Sequence, residues 1–354
     1  IYDKRKEALY NAILIQIKSG MAKDAIDNSA LFLSEFPNDD LSAKVMFKMG
    51  LLYSEAREYL KAGQVFRDYA ERYHDSSRMQ EVYFQIAYNM QCSGNLGDSL
   101  KYYAKITKDK DEKIFYSALK NTAMIYLNDK SDDKAARILS RLIREFQDTD
   151  LSVDVYLWLA KFYVDAGAYE EGLFILDKAR DKAAGAADRK KDMAYFRAEA
   201  NKGLKKYVDA AADYDIVLEG PGGELLYSAA HIGKGLCLKE LKEFDKAIDE
   251  FQSAMTESPE DNTVTMRARF EIADTHRLKG DLEEAYKTYM LVAILYDNEQ
   301  YSGEALFQAG EIFTRLGKDA EAKKAYHEIL NRYSGGALAE KAKEKLKVTN
   351  ENAN

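Results

Sequence analysis

Apolar and polar positions along this chain follow two nested periods, one of a helix turn and one about ten turns long. A small residue stands at Ala25, Ala62, Ser99, Ala135, Gly172, Ala210, Ala247, Ala285 and Ala322, with gaps of 37, 37, 36, 37, 38, 37, 38 and 37 residues. Four residues downstream come Ser29, Phe66, Tyr103, Leu139, Leu176, Tyr214, Phe251, Tyr289 and Tyr326, and the column seven downstream, from Phe32 to Ile329, is apolar throughout. Offsets of four and seven lie on one stripe of a helix, with the small residue a turn earlier, where a neighbouring helix crosses closely. A second small column lies twelve residues upstream, clearest at Gly50, Ala87, Ala123, Ala160, Ala198, Gly235, Ala273 and Gly310. Five residues upstream stand Gly20, Gly94, Gly167, Gly280 and Gly317, read as turns that need a left-handed backbone.

The register predicts nine helix pairs, over about 2–38, 39–75, 76–112, 113–148, 149–185, 186–222, 223–260, 261–298 and 299–336. First helices are expected near 2–19, 41–56, 77–92, 114–127, 151–166, 187–202, 224–239, 263–278 and 301–316, with Ser77-Arg78-Met79-Gln80 as a capping box. A basic helix over 337–347 reads as the cap that a repeat array needs on its last face, followed by a disordered tail over 349–354.

Met46-x-x-Met49-Gly50-x-x-Tyr53 followed by Ala62-x-x-x-Phe66, and Leu306-x-x-Ala309-Gly310-x-x-Phe313 followed by Ala322-x-x-x-Tyr326, resemble the tetratricopeptide repeat (TPR). The resemblance spans about 2–336, although the closing proline of the motif is present only as Pro37 and Pro259. It implies an all-α solenoid, a right-handed superhelix whose concave wall is made of first helices and binds a peptide or partner helix. The period exceeds the standard of about 34 residues, which makes the repeats similar to those of bacterial envelope TPR proteins of the BamD and CpoB type.

Composition narrows this picture. In 354 residues there are three prolines, no Gly/Ser linker and no apolar run near the ~20 residues of a membrane span. A single elongated domain is therefore expected. The net charge of −8 is dispersed among interspersed acids and bases, which argues against the concentrated basic face that nucleic acid requires. Cys92 and Cys237 lie four repeats apart, too far to bridge within one superhelix. Ile1-Tyr2-Asp3 shows neither initiator methionine nor signal peptide, and Tyr10, Ile13, Leu14 and Ile17 crowd the first helix, so further chain upstream is expected.

Signals for catalysis are absent. There is no HExxH, P-loop or GxSxG, and His74, His231, His276 and His327 have no metal-ligand spacing. Gly220-Pro221-Gly222-Gly223 lacks the Lys-Ser/Thr of a phosphate loop and follows a helix, so it reads as a turn. Trp158 reads as a core or groove residue. No enzyme activity, cofactor or metal is expected.

Function then rests on the wall of first helices. Three residues before the upstream small column come Tyr10, Phe47, Phe84, Lys120, Leu157, Tyr195, Ile232, Phe270 and Phe307. One residue after it come Leu14, Leu51, Tyr88, Met124, Lys161, Glu199, Leu236, Asp274 and Glu311. The second column is apolar in repeats one to four and mainly charged in five to nine, where Glu199/Lys202 and Asp274/Arg277 are placed to pair along a helix. Tyr10, Leu14, Phe47, Leu51, Phe84, Tyr88 and Met124 are the candidate partner-binding strip. The resemblance also offers a carboxylate clamp, but Lys120 is followed by Met124 where the clamp wants Asn, so that reading is set aside. The expected function is a non-enzymatic scaffold binding a protein or peptide in this groove, in a bacterial envelope or periplasmic setting. The alternatives are a structural subunit of a secretion, pilus or flagellar machine, the repeat part of a longer regulatory or catalytic protein, and a cytoplasmic location.

Overall fold

In a computed structural model, which describes residues 2–180, 189–220 and 225–351, every regular element is a helix. The chain divides into two compact units, 1–150 and 151–354. In the first, four hairpins follow one another: α1 (Tyr2–Lys18) with α2 (Ala22–Glu35), α3 (Ser42–Glu55) with α4 (Tyr59–Arg72), α5 (Met79–Cys92) with α6 (Leu96–Tyr103), and α7 (Glu112–Asn128) with α8 (Asp132–Glu145). In the second, five hairpins pair α9 (Val153–Asp165) with α10 (Tyr169–Ala179), α11 (Lys190–Gly203) with α12 (Tyr207–Val217), and α13 (Leu225–Glu240) with α14 (Phe244–Glu257). They continue with α15 (Asn262–Lys279) and α16 (Leu282–Leu295), then α17 (Glu304–Arg315) and α18 (Asp319–Arg332). A short π-helical turn, Glu299–Gly303, precedes α17, and α19 (Ala337–Glu351) closes the chain. Each hairpin packs on the next within its unit.

The two small columns are where the paired helices touch. All nine landmark residues, from Ala25 to Ala322, are buried. In the second, seventh and ninth hairpins the ring four residues on presses against the upstream small column. A β-carbon added at Gly50 would lie 2.7 Å from the Phe66 ring, at Gly235 2.6 Å from Phe251, and at Gly310 2.6 Å from Tyr326. Contact that close admits a glycine or, where the ring sits back, an alanine.

The turns follow one rule. Gly20, Gly94, Gly167, Gly280 and Gly317 have positive φ, and so do Arg57, Lys130, Lys205 and Lys242, which hold the same column in the other four repeats. In each, the next residue donates its N–H to a carbonyl five residues back, as in Met21 to Gln16 (2.9 Å), Glu243 to Leu238 (2.9 Å) and Lys318 to Phe313 (2.8 Å). This closure uses carbonyls that the helix end leaves unpaired.

Some expectations are corrected. Ser77 sits in a turn and α5 begins at Met79, so there is no capping box; Gln80 instead accepts from the Thr107 N–H at 2.9 Å, tying the third hairpin's first helix to the loop after its second. Working N-caps are Asn95, Asp111 and Asp261, whose side chains accept from backbone N–H groups of the first turn. The last first helix starts at Glu304, because Asn298 caps the π turn ahead of it through the Tyr301 N–H. The final helix runs to Glu351 rather than ending near 348, since no glycine or proline follows Gly336 to stop it. Ala339, Ala342 and Leu346 of α19 are buried, with Ala342 and Leu346 joining the core of the last hairpins. The turn read at 220–223 lies largely outside the described residues.

Candidate functional site

The strip Tyr10, Leu14, Phe47, Leu51, Phe84, Tyr88 and Met124 falls on α1, α3, α5 and α7, all in the first unit. Its members differ in what they present. Phe47 is 3% exposed, with its ring edge-on to Phe66 at 5.4 Å and Tyr69 at 6.0 Å. Phe84 is half-buried, stacked on Tyr88 at 6.4 Å and tilted against Tyr103 at 5.7 Å. Tyr10 is half-buried beside Phe32 at 6.3 Å, and Leu14, Leu51 and Met124 are half-buried too. Tyr88 alone is exposed, and its phenol is hydrogen-bonded to Cys92, which raises its pKa. The first of these two columns therefore packs each hairpin as much as it lines a wall.

An opening does exist between α3 and the start of α5. Its volume is about 430 Å³, in the range of small ligand clefts, and it is lined by Phe47, Leu51, Lys44, Lys48 and Arg78 together with Asp40, Ser76, Ser77 and Glu81. Positions 44, 47, 48 and 51 fall three and four apart, so α3 offers them on one face. The loop after α4 supplies Ser76, Ser77 and Arg78: Ser76 bonds the Tyr69 hydroxyl at 3.0 Å and accepts from the Arg78 N–H at 3.2 Å. That geometry lays the Arg78 guanidinium over the Phe47 ring at 4.9 Å, with Glu81 3.6 Å away. Lys44 and Lys48 form no ion pair among the described residues. They were missed as site residues because lysines on a helix read as solvated surface; only the loop from the next hairpin turns them into a cleft wall.

In the second unit the charged column has internal partners. Tyr214 donates to Glu199, Tyr289 to Asp274 at 3.1 Å, and Tyr326 to Glu311 at 2.9 Å, always fifteen residues back. Each phenol is buried at the base of its ring column, and burial together with the carboxylate pushes its pKa up. Lys202 pairs with Glu199 at 2.6 Å, and Lys345 of α19 reaches Glu311 at 2.9 Å. Lys239 extends from α13 to Glu271 and Asp274 of α15, where the Arg277 Nε also donates to Asp274 at 2.9 Å. Burial opposes the Asp274 charge, yet Arg277 and Lys239 outweigh it and hold the carboxyl below its ordinary range. Lys161 is exposed and pairs with Asp165. The wall charges of repeats five to nine are therefore largely engaged within the fold.

The remaining singled-out residues do not converge. His231 binds Glu250 at 2.6 Å, whereas His276 lies 3.7 Å from Asp281. Among the described residues no group of three or more His, Cys, Asp or Glu is gathered where a metal ion would be held. Trp158 stacks on Phe162 at 5.8 Å. Cys92 and Cys237 are both free, and burial pushes the Cys237 thiol up to about 11. Among the described residues no helix is long and apolar enough to cross a membrane.

Models of the tetratricopeptide repeat match residues 44–76 and 304–335, and a second such model matches 203–262. No curated protein matches the chain in sequence. Among solved structures, one of a tetratricopeptide repeat protein from Parabacteroides merdae ATCC 43184 is 15% identical, covering 98% of this chain and 99% of its own at a TM-score of 0.37. PilW, described as a widely conserved type IV pilus biogenesis factor, is 15% identical over 64% of this chain and 97% of its own, at 0.46. YrrB, described as a TPR protein with an unusual peptide-binding site, is 20% identical over 59% of this chain and 100% of its own, at 0.41. The matched stretches 44–76 and 304–335 hold the α3–α4 and α17–α18 hairpins, whose rings meet Gly50 and Gly310, and on that sequence and geometry the chain is a tetratricopeptide repeat protein.

Proposed function

We propose that this chain is a non-enzymatic scaffold that holds a segment of a partner polypeptide against the first-helix wall of its first unit, centred on the α3–α5 cleft. The observation that carries it is the coincidence of Lys44 and Lys48, which form no ion pair among the described residues, with the apolar surface of Leu51 and the Phe47 edge in one opening, where Glu81 is taken by Arg78 and Asp40 stands at the rim. Such a cleft suits a segment with an apolar side chain next to a carboxylate. Phe84 and Tyr88, on the next first helix, extend the apolar surface, and Tyr10, Leu14 and Met124 are its flanks. The envelope setting implied by the long period belongs to the same proposal; fractionation of cells producing the natural full-length protein tests it.

The binding test uses peptides selected by display against the whole chain and measured by fluorescence anisotropy. Lys44→Glu with Lys48→Glu should weaken binding by about tenfold or more, as charge reversal beside a bound carboxylate does. Phe84→Ala and Tyr88→Ala should each weaken it by about 1–2 kcal/mol, while Glu311→Ala changes little. Selected peptides that bind the reversed variant equally well would remove the cleft from the reading.

A further inference from the structure

The outer surface of the eighth hairpin breaks the repeat register. Nine residues after the landmark, the other repeats carry serine, threonine, asparagine or a charged residue, among them Glu71, Lys108, Arg144 and Glu219. Glu71, Lys108, Arg144 and Glu219 face solvent. In α16 the same position is Ile294, followed by Leu295, where Arg72, Glu145 and Arg332 stand in other repeats. Ile294 is 72% exposed, Leu295 53% and Leu291 48%. Exposed apolar residues scattered singly are ordinary, but three in one and a half turns form a ridge that water does not favour.

Beside the ridge runs a trough. Two adjoining clefts of about 450 and 290 Å³ share Met290, Leu306 and Glu328 and lie between α16 and α18 over α17. The floor is apolar, made by Met290, Leu306, Phe313 and Ala325. Arg332 closes one end, donating to the carbonyls of Ala293 at 2.7 Å and Tyr296 at 3.1 Å. The equivalent trough two hairpins earlier, an open cleft of about 460 Å³ between α12 and α14, is crossed by polar groups. There Lys234 bridges Asp215 at 2.7 Å and Glu250 at 2.6 Å, and His231 stands at the register position of Leu306. In the α16–α18 trough the only such link among the described residues is at the end, where Arg332 also pairs with Asp297 at 3.1 Å, and the apolar floor is left uncrossed.

We propose that this face joins two copies of the chain in a two-fold dimer, the Ile294–Leu295 ridge of each seated in the trough of the other. A ridge and a trough side by side on one surface are what a two-fold contact needs, since each copy supplies to its partner what it receives. The rim is self-complementary as well. Glu321, Lys324 and Glu328 alternate in sign along α18, and none forms an ion pair among the described residues, so Lys324 of one copy can meet Glu328 of the other. The two rim carboxylates disfavour the anionic lipid surface that an exposed apolar ridge would otherwise fit.

Sedimentation equilibrium and light scattering on the whole chain test this. The expected result is a monomer–dimer equilibrium. Ile294→Asp combined with Leu295→Asp should abolish it while the circular-dichroism spectrum stays unchanged and the melting temperature matches that of the unsubstituted chain diluted to its monomer, because both sites are exposed. Ile294→Ala should raise the dissociation constant by about tenfold, and Lys324→Glu should weaken a dimer that Lys324→Glu with Glu328→Lys restores. Leu60→Asp and Val208→Asp, at isolated exposed positions, should leave it intact. A chain that is monomeric at every concentration would overturn the proposal. So would a dimer indifferent to the double aspartate variant, or a monomer that uses Ile294 and Leu295 to sediment with zwitterionic vesicles or to bind a different protein.

Discussion

The first-helix walls of the two units start from the same repeat register and use charge in opposite ways. In the second unit, Glu199, Asp274 and Glu311 receive the hydroxyls of Tyr214, Tyr289 and Tyr326, and lysines and arginines neutralise them. In the first unit the matching positions are Leu14, Leu51, Tyr88 and Met124, and the nearby Lys44 and Lys48, although Asp40 and Glu81 line the same cleft, form no ion pair among the described residues. A charged column is thus not in itself a recognition surface. Where the ring of a second helix in the second unit ends in a hydroxyl, an acid fifteen residues earlier solves a burial problem; in the first unit Tyr103, with Tyr88 at that place, donates to Gln91 at 2.9 Å instead. The phenylalanines 66 and 251 have no hydroxyl, and Leu51 and Leu236 stand in the acid's place.

The comparison breaks most visibly if the second unit's charges prove dispensable. Lys239→Met should destabilise by about 3 kcal/mol, because it leaves Glu271 and Asp274 mostly buried with less compensation; denaturant unfolding measures this. The same network fixes the acid response. Asp274 is held below its usual pKa, so its contribution is present above the unfolded value of about 4 and is lost as pH falls through the folded one. Asp274→Asn should therefore flatten the slope of stability against pH on the acid side. Lys239 is raised: burial opposes its charge, but Glu271 and Asp274 outweigh it, so its contribution is lost only as pH climbs through the folded value in strong alkali.

Next comes the helix crossing common to both units. Ala135→Leu in the first and Ala247→Leu in the second should each cost about 1–3 kcal/mol by overpacking, read as a lower denaturation midpoint. Tyr289→Phe should cost about 1 kcal/mol, leaving Asp274 to Arg277 and Lys239, whereas Phe66→Tyr places a hydroxyl opposite Leu51 and should cost as much or more. The smallest effect has the opposite sign. Lys242→Gly and Arg57→Gly relieve a left-handed backbone and should stabilise by about 0.5–1 kcal/mol, the gain being trimmed by the added freedom of the unfolded chain.

Much of this was legible in the sequence because it is local and repeated. The hairpin register, the buried small columns and the pairs Glu199/Lys202 and Asp274/Arg277 follow from helix geometry alone. The glycine column showed five of the nine left-handed turns; Arg57, Lys130, Lys205 and Lys242 carry no local mark of that conformation. The groove asymmetry was seen but its cause was not, since the Tyr–acid link joins two columns on different helices. The α3–α5 cleft was half visible. Phe47 and Leu51 lie in the expected columns, whereas Lys44, Lys48 and Arg78 become a wall only when the loop around Ser76 brings the next hairpin against α3. Likewise Gln80, placed in a capping box by spacing, is drawn away by the unpaired Thr107 N–H of a loop 27 residues on.

The central claim, that recognition resides in the first unit's wall, is tested most directly by hydrogen exchange on the whole chain, with and without a display-selected peptide. The account predicts slowed exchange across α3 and the first turns of α5, unchanged exchange across α13 and α15, and loss of the protection in the Lys44→Glu, Lys48→Glu variant. Protection centred on α13 and α15 that survives that variant would contradict it.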